Sequence, residues 1–124
     1  MIVHDTQLRE EWRKGVGTRM HVSAQNGAAQ LCIFEQWIEG AMGAPTHWHP
    51  VEEVLTVLSG IAEMWIEDNK QILTPGQSLI IPARKSHGFR NVGTKSLHIH
   101  AVLASSHFEA TFDTITEPVI RWQS

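Results

Sequence analysis

The stretch Thr46-His47-Trp48-His49-Pro50-Val51-Glu52-Glu53 restricts the fold more than any other part of the 124-residue chain. In an extended strand, side chains at i and i+2 share a face, so His47 and His49 project together and Trp48 points away. An acid further along the same straight strand cannot join them. At about 3.3 Å per residue, Glu53 would lie more than ~13 Å beyond His49. A chain that brings them together has to bend in between, and Pro50 stands where the bend is needed. It has no N–H for a ladder and holds His49 in an extended or turn conformation. Glu53 is then expected to open the next strand and to fold back beside the two histidines.

The flanking sequence is also strand-forming. Leu31 to Ile38 is rich in strand formers and stops at Gly40, and Gly43 and Pro45 punctuate the entry to the histidine strand. Val54 to Leu58 ends at Ser59-Gly60, and Ile61 to Glu67 ends at Asp68-Asn69, two residues that tolerate positive φ in a hairpin turn. Gln71 to Leu73, Ser78 to Ile81 and His87 to Asn91 are further short strands, bounded by Pro75-Gly76, Pro82 and Asn91-Val92-Gly93. Leu97 to Leu103 alternates Leu97, Ile99, Ala101 and Leu103 against His98, His100 and Val102. Short strands with frequent turn residues predict an all-β antiparallel sandwich or barrel. The two ends read differently. Leu8 and Trp12 are spaced as in a short helix, with an outer strand the open alternative. Ser106 to Glu109 fits a helix capping box, followed by Phe108 and Phe112 on one helical stripe, and Glu117 to Trp122 is expected to be extended.

A second run, Pro82-Ala83-Arg84-Lys85-Ser86-His87, completes a recognisable pair. The chain resembles a small single-domain cupin over roughly Gly40 to Asn91. The first motif of that superfamily, with its His-x-His, Glu and closing Gly, is matched by His47, His49, Glu53 and Gly60. The second is matched by Gly76, Pro82, His87 and Asn91. Two positions depart from it: Ala41 stands where the first motif opens with glycine, and Arg84 replaces the internal glycine of the second. Arginine carries a steric penalty in a turn with positive φ that glycine does not. The resemblance implies a six-stranded double-stranded β-helix, the jelly-roll barrel, over residues 31–104. Residues 1–30 would then be an N-terminal extension, and 105–124 a C-terminal extension packed on the barrel or a partner. It further implies metal ligands at His47, His49, Glu53 and His87, inside the barrel. Glu52 is the competing acid, with a solvated strand edge as its plainer explanation.

Three neutral imidazoles and a carboxylate suit one divalent transition metal (Fe, Mn, Ni, Cu or Zn) better than Mg or Ca. Four protein ligands on a metal able to take five or six leave positions open for water, substrate or dioxygen, whereas a structural zinc is normally closed and Cys-rich. Trp37, Trp48 and Trp65 are candidates for an aromatic wall of a substrate pocket, with core packing as the alternative. His98 and His100 are candidates for a proton relay there, with an outward-facing position as the alternative. Arg84, Lys85 and Arg90 flank His87 and would either draw an anionic substrate or form a solvated rim.

Three functions fit. The first is a metal-dependent dioxygenase acting on a small chelating enol, diketone or aromatic molecule, with Glu53 doubling as ligand and catalytic base as in flavonol-cleaving cupins. The second is a non-catalytic small-molecule binding or sensor module, and the third a Lewis-acid isomerase, lyase or cyclase. The absence of tyrosine removes cupin epimerases and sulfonium-cleaving lyases that use a tyrosine acid or base. A net charge of −3 with scattered Lys and Arg argues against nucleic-acid binding, and no apolar stretch is long enough to span a membrane. The charged N-terminus without an apolar run, together with a single cysteine, Cys32, points to a reducing cytoplasm. A homodimer is expected, with the Trp12 and Trp122 segments offering apolar surface.

Overall fold

Buried and more exposed side chains alternate through the central strands of the computed structural model, which describes residues 1–124. In chain order the strands are β1 (Glu10–Arg13), β2 (Val16–Val22), β3 (Cys32–Ile38), β4 (Gly43–Trp48), β5 (Glu53–Ser59) and β6 (Ala62–Ile66). They continue as β7 (Asn69–Leu73), β8 (Ser78–Ile81), β9 (His87–Asn91), β10 (Leu97–Leu103), β11 (Phe108–Phe112) and β12 (Val119–Arg121). All pairings are antiparallel. One sheet runs β1-β2-β3-β10-β5-β8, the other β12-β11-β4-β9-β6-β7. From β3 onward the chain crosses repeatedly between them, as a jelly roll requires. The architecture is therefore a jelly roll with each sheet enlarged. Beyond the eight strands of residues 31–104, β1 and β2 extend one sheet, and β11 and β12 extend the other.

The core lies between the sheets. Leu97, Ile99, Ala101 and Leu103 are all buried at 0–1% exposure, and across the ladder Cys32, Phe34, Gln36 and Ile38 point the same way. Full burial of one such Leu or Ile contributes about 1.5–3 kcal/mol. Truncating Ile99 to alanine would cost about 2–5 kcal/mol, because a close-packed interior refills a void poorly.

The regular structure toward both ends of the chain is strand, apart from one 3-10 turn at Ala24–Asn26. Residues 10–22 form β1 and β2, not a helix, and Leu8 is exposed. The capping box at Ser106 does not start a helix either: Phe108 to Phe112 is β11, paired with β4 on one side and β12 on the other. An i, i+4 spacing is ambiguous, since it returns to one face in a helix and also in a strand. Here the ladder decides. The hairpin after β6 is displaced by one residue, with Ile66 opposite Asn69, so Glu67 and Asp68 make the turn and Glu67 takes the positive φ of 52°.

Both departures from the glycine pattern keep the left-handed backbone. Ala41 has φ 65° and Arg84 φ 67°. Gly60 shows what such a turn excludes elsewhere: its φ is 87°, and a Cβ there would stand 2.8 Å from the Ser96 carbonyl oxygen. Left-handed backbone costs a non-glycine residue about 1–2 kcal/mol, while glycine loses about 0.5–1 kcal/mol in backbone entropy. Ala41→Gly and Arg84→Gly should therefore each leave the fold intact and raise the melting temperature by a few degrees. Gly60→Ala should lower it. Calorimetry of the three variants checks both signs.

Candidate metal centre

An irregularity in β4 aims the first histidines. Ala44 pairs with Phe89 and His47 with His87, so the register slips between them at Pro45-Thr46. Proline has no N–H to give the ladder, and the slip turns both Ala44 and His47 inward although they are three residues apart. His47 faces His87 directly across the ladder. His49 follows just past the end of β4, and the Arg84 N–H donates to its carbonyl oxygen at 2.8 Å. The left-handed turn at Arg84 thus clamps the backbone of a site residue. Pro50 to Glu52 then carries the chain across to the other sheet, where Glu53 opens β5 opposite Ile81 and Leu103. His47, His49, Glu53 and His87 are 5%, 2%, 3% and 1% exposed, whereas Glu52 is exposed.

Hydrogen bonding fixes what these side chains offer one another. Each imidazole donates from Nδ1 to a backbone carbonyl: His47 to Pro45 at 2.7 Å, His49 to Glu109 at 2.8 Å and His87 to Lys85 at 2.8 Å. A carbonyl can only accept, so in the neutral imidazole the proton lies on Nδ1 and Nε2 keeps its lone pair. Glu53 Oε1 lies 3.3 Å from His49 Nε2 and 3.2 Å from His87 Nε2, and none of these three atoms has a hydrogen-bond partner. One ligand atom from each of His47, His49 and His87 can be chosen so that all three lie within 4.8 Å of one another. A buried cluster of acceptors without a donor is costly unless a cation fills it. The donor set fits a divalent transition ion.

The cluster opens on a cavity of about 280 Å³ between the sheets. His47, His49 and Glu53 line it, with Phe34, Phe108 and Phe112 forming an aromatic wall. Phe112 lies 5.0 Å from the His47 ring, and Phe108 5.4 Å from His49. The expected pocket residues Trp37, Trp48, Trp65, His98 and His100 are not among the lining. His98 and His100 are on the outer face of β10, opposite in direction to Leu97 and Ile99; His98 stacks on Trp37 and bonds Glu35 at 2.7 Å. Trp48 points away from its neighbours His47 and His49, and Trp65 packs outside, donating to Thr46 Oγ1 at 3.0 Å. Arg84 and Lys85 are exposed, and Arg90 pairs with Glu63 at 3.1 Å, leaving these cations on the rim. Asn91 is structural: its amide nitrogen donates to the Ile38 and Lys95 carbonyls, and its oxygen accepts from the Gly93 N–H. Sequence reasoning missed Arg13, Phe34, Phe108, Phe112 and Arg121 as lining residues. Only Phe34 carried a signal, through its place on the inward face of β3.

Ionisation follows from burial and mutual charge. Burial first, then the charges of His87 and His49, pushes His47 down to about 3. Burial would also lower His49, but the Glu53 charge outweighs it and raises the imidazole. Glu53 is held well below the usual carboxylate range, because its contacts with His49 and His87 overcome a burial that acts the other way. In the metal-free protein the unfolded His47 binds a proton near pH 6.5 and the folded one only near 3, so stability falls as pH drops through that window. Glu53 adds a loss of the same sign below pH 4.5. The contribution of His49 is fully present below pH 6.5 and is lost only as pH rises. Melting temperatures of chelator-treated protein should therefore decline from pH 6.5 to 3, and His47→Gln should flatten the upper part of that decline.

The sequence profile described as the cupin domain matches residues 34–103. No curated protein sequence matches the chain. Solved structures with the same fold include KdgF from Halomonas sp., at 20% identity and TM-score 0.67, covering 82% of this chain and 86% of that one. The polyketide cyclase RemF from Streptomyces resistomycificus is 20% identical at TM-score 0.72, covering 93% of this chain and 86% of its own. The S161A mutant of Bacillus subtilis oxalate decarboxylase is 18% identical at TM-score 0.77, covering 86% of this chain but 30% of that longer one. With a profile spanning more than half its length and a jelly roll that shares their fold, the chain belongs to the cupin family.

Proposed function

We propose that this cupin holds one divalent transition metal through His47, His49, Glu53 and His87 and acts as an enzyme on a small chelating molecule in the adjoining cavity. The observation that carries this reading is the meeting of buried acceptors, His49 Nε2, His87 Nε2 and Glu53 Oε1, with no donor among them. The Mn(II) centres of Bacillus subtilis oxalate decarboxylase, a neighbour in fold, support it. A bound ion of this kind supplies Lewis acidity and open positions for substrate and dioxygen. Apart from the proposed ligands, the ionisable side chains lining the cavity are Arg13 and Arg121, and arginine is a poor acid or base because it stays protonated. Reactions that need a separate general base therefore suit the cavity less well than dioxygenation of an enol, diketone or aromatic molecule. Glu53, the one carboxylate in the lining, would be the group that takes a proton from the chelating oxygen.

A cytoplasmic setting accords with the lone thiol of Cys32, which burial and then the Glu53 charge push up to about 12. No helix is long and apolar enough to cross a membrane. Homodimerisation is a further part of the proposal, although not through free terminal tryptophans. Trp12 and Trp122 pack on each other at 5.3 Å and on Phe34 and Phe108. The available apolar surface includes Leu58 and Ile80, 44% and 62% exposed. Sedimentation as a monomer at micromolar concentration would remove the dimer.

Purified protein should carry close to one metal equivalent by elemental analysis, and His47→Ala or His87→Ala should reduce that content to under about a tenth. Chelation should lower the melting temperature by roughly 5–15 °C, from linkage of about 2.7 kcal/mol at a hundredfold excess over Kd. Oxygen-electrode assays with diketone and catechol-type compounds should show uptake that depends on Fe or Mn. Turnover under argon would transfer the assignment to Lewis-acid chemistry, and tight binding without turnover to a binding module.

A further inference from the structure

Two guanidinium groups without an ion-pair partner line the same cavity as Glu53. Arg121 on β12 pairs with Phe108, whose side chain points inward, so Arg121 is directed into the space between the sheets. Arg13 reaches the same cavity from β1, where a register shift between Glu11 and Arg13 allows Trp12 and Arg13 to turn inward together. The two strands are the outermost of their respective sheets, so the arginines meet across the gap between the sheet edges.

Neither arginine has a counter-ion. The ion pairs of the chain involve Glu35, Glu53, Glu63 and Glu109, with Arg90 or histidines as partners, and never Arg13 or Arg121. Glu53 is the only acid in the cavity lining. The Nε of Arg121 is buried with no hydrogen-bond partner, and its guanidinium is stacked 4.2 Å over the Trp12 ring. Arg13 uses its Nε on the Gly43 carbonyl at 3.2 Å, which leaves the outer edge of its fork free. Burial and then the Arg121 charge lower its pKa, as for two cations held together. Like charges brought together, oriented by stacking and a backbone bond, and left unpaired form a receptor for an anion.

We propose that Arg13 and Arg121 bind a carboxylate on the substrate, so that the cavity takes an aromatic or enolic acid with its chelating oxygens toward the histidines and its carboxylate toward the arginines. This rests on the reading of the cavity as the substrate site of a metal centre. Phe108 bridges the two polar groups, its ring 5.4 Å from His49 and 4.9 Å from Trp12, on which Arg121 stacks, and with Phe34 and Phe112 it accepts a planar, unsaturated middle. A cavity of about 280 Å³ limits the ligand to a small molecule.

The test is calorimetric titration of the protein as purified with 3,4-dihydroxybenzoate and its neutral near-isostere 3,4-dihydroxybenzamide. The acid should bind at least about tenfold tighter than the amide. In Arg121→Gln and in Arg13→Gln that preference should shrink to roughly twofold while the amide affinity holds, and Arg121→Lys should recover part of it. Chelator-treated protein should still prefer benzoate to benzamide. Equal affinities for acid and amide in the unmodified protein overturn the inference, as does a preference unchanged in both glutamine variants. If one variant fails to fold, the other and the unmodified protein decide. The two readings fail separately: a preference for acids in protein that takes up no metal sinks the metal centre alone, and a metal-loaded protein indifferent to the carboxylate sinks the arginine pair alone.

Discussion

The structure depends on a shortage of protons. Three imidazoles, each committed through Nδ1 to a backbone carbonyl, point their remaining lone pairs at the neighbourhood of one carboxylate. While the imidazoles are neutral, nothing within that group can donate to anything else in it. In water the arrangement would dissolve into hydration; at 5% exposure or less it cannot, so the surrounding strands must hold it together. The backbone acceptors are Pro45 and Lys85, each two residues before the histidine it orients, and Glu109, sixty residues from His49. The last bond makes β11 part of the site, although its own side chains supply no ligand.

Geometry of the sheets explains why this is possible in so short a chain. His47 and His87 are cross-strand neighbours in one sheet, His49 lies just beyond its strand end, and Glu53 begins a strand of the other sheet. Pro50 to Glu52 spans the two. An ion among these residues would tie the sheets to each other at the point where the chain passes between them. Beside the packed core, the space between the sheets also holds the cavity, which side chains of the edge strands β1 and β12 help to line.

Much of this was legible in the residues. The i, i+2 spacing of His47 and His49, the bend at Pro50 and the return at Glu53 follow from strand geometry and the chemistry of proline, and the structure has all three. The alternation in Leu97 to Leu103 identified two faces, but not which of them met the core; His98 and His100 proved to be outside, held by Glu35 and Trp37. Charge near a histidine in sequence was a poor guide, since Arg84, Lys85 and Arg90 are rim residues while the cavity takes its arginines from the two ends of the chain. Those ends were the least readable parts. Their inward direction depends on a register shift in β1 and on the pairing of β12 with β11, neither of which leaves a periodic trace. Phe108 and Phe112 illustrate the remaining difficulty, a four-residue spacing that two kinds of backbone satisfy equally.

The distribution of cavity residues along the chain has an evolutionary consequence. The acceptor cluster is confined to residues 47–87, within the stretch that matches the cupin domain profile, whereas Arg13 and Arg121 fall outside it on flanking strands. The proposed metal centre and the proposed anion site can therefore diverge independently, through changes at either terminus that leave the histidines untouched. Relatives sharing the central motif would be grouped together by it while differing in the molecules they admit.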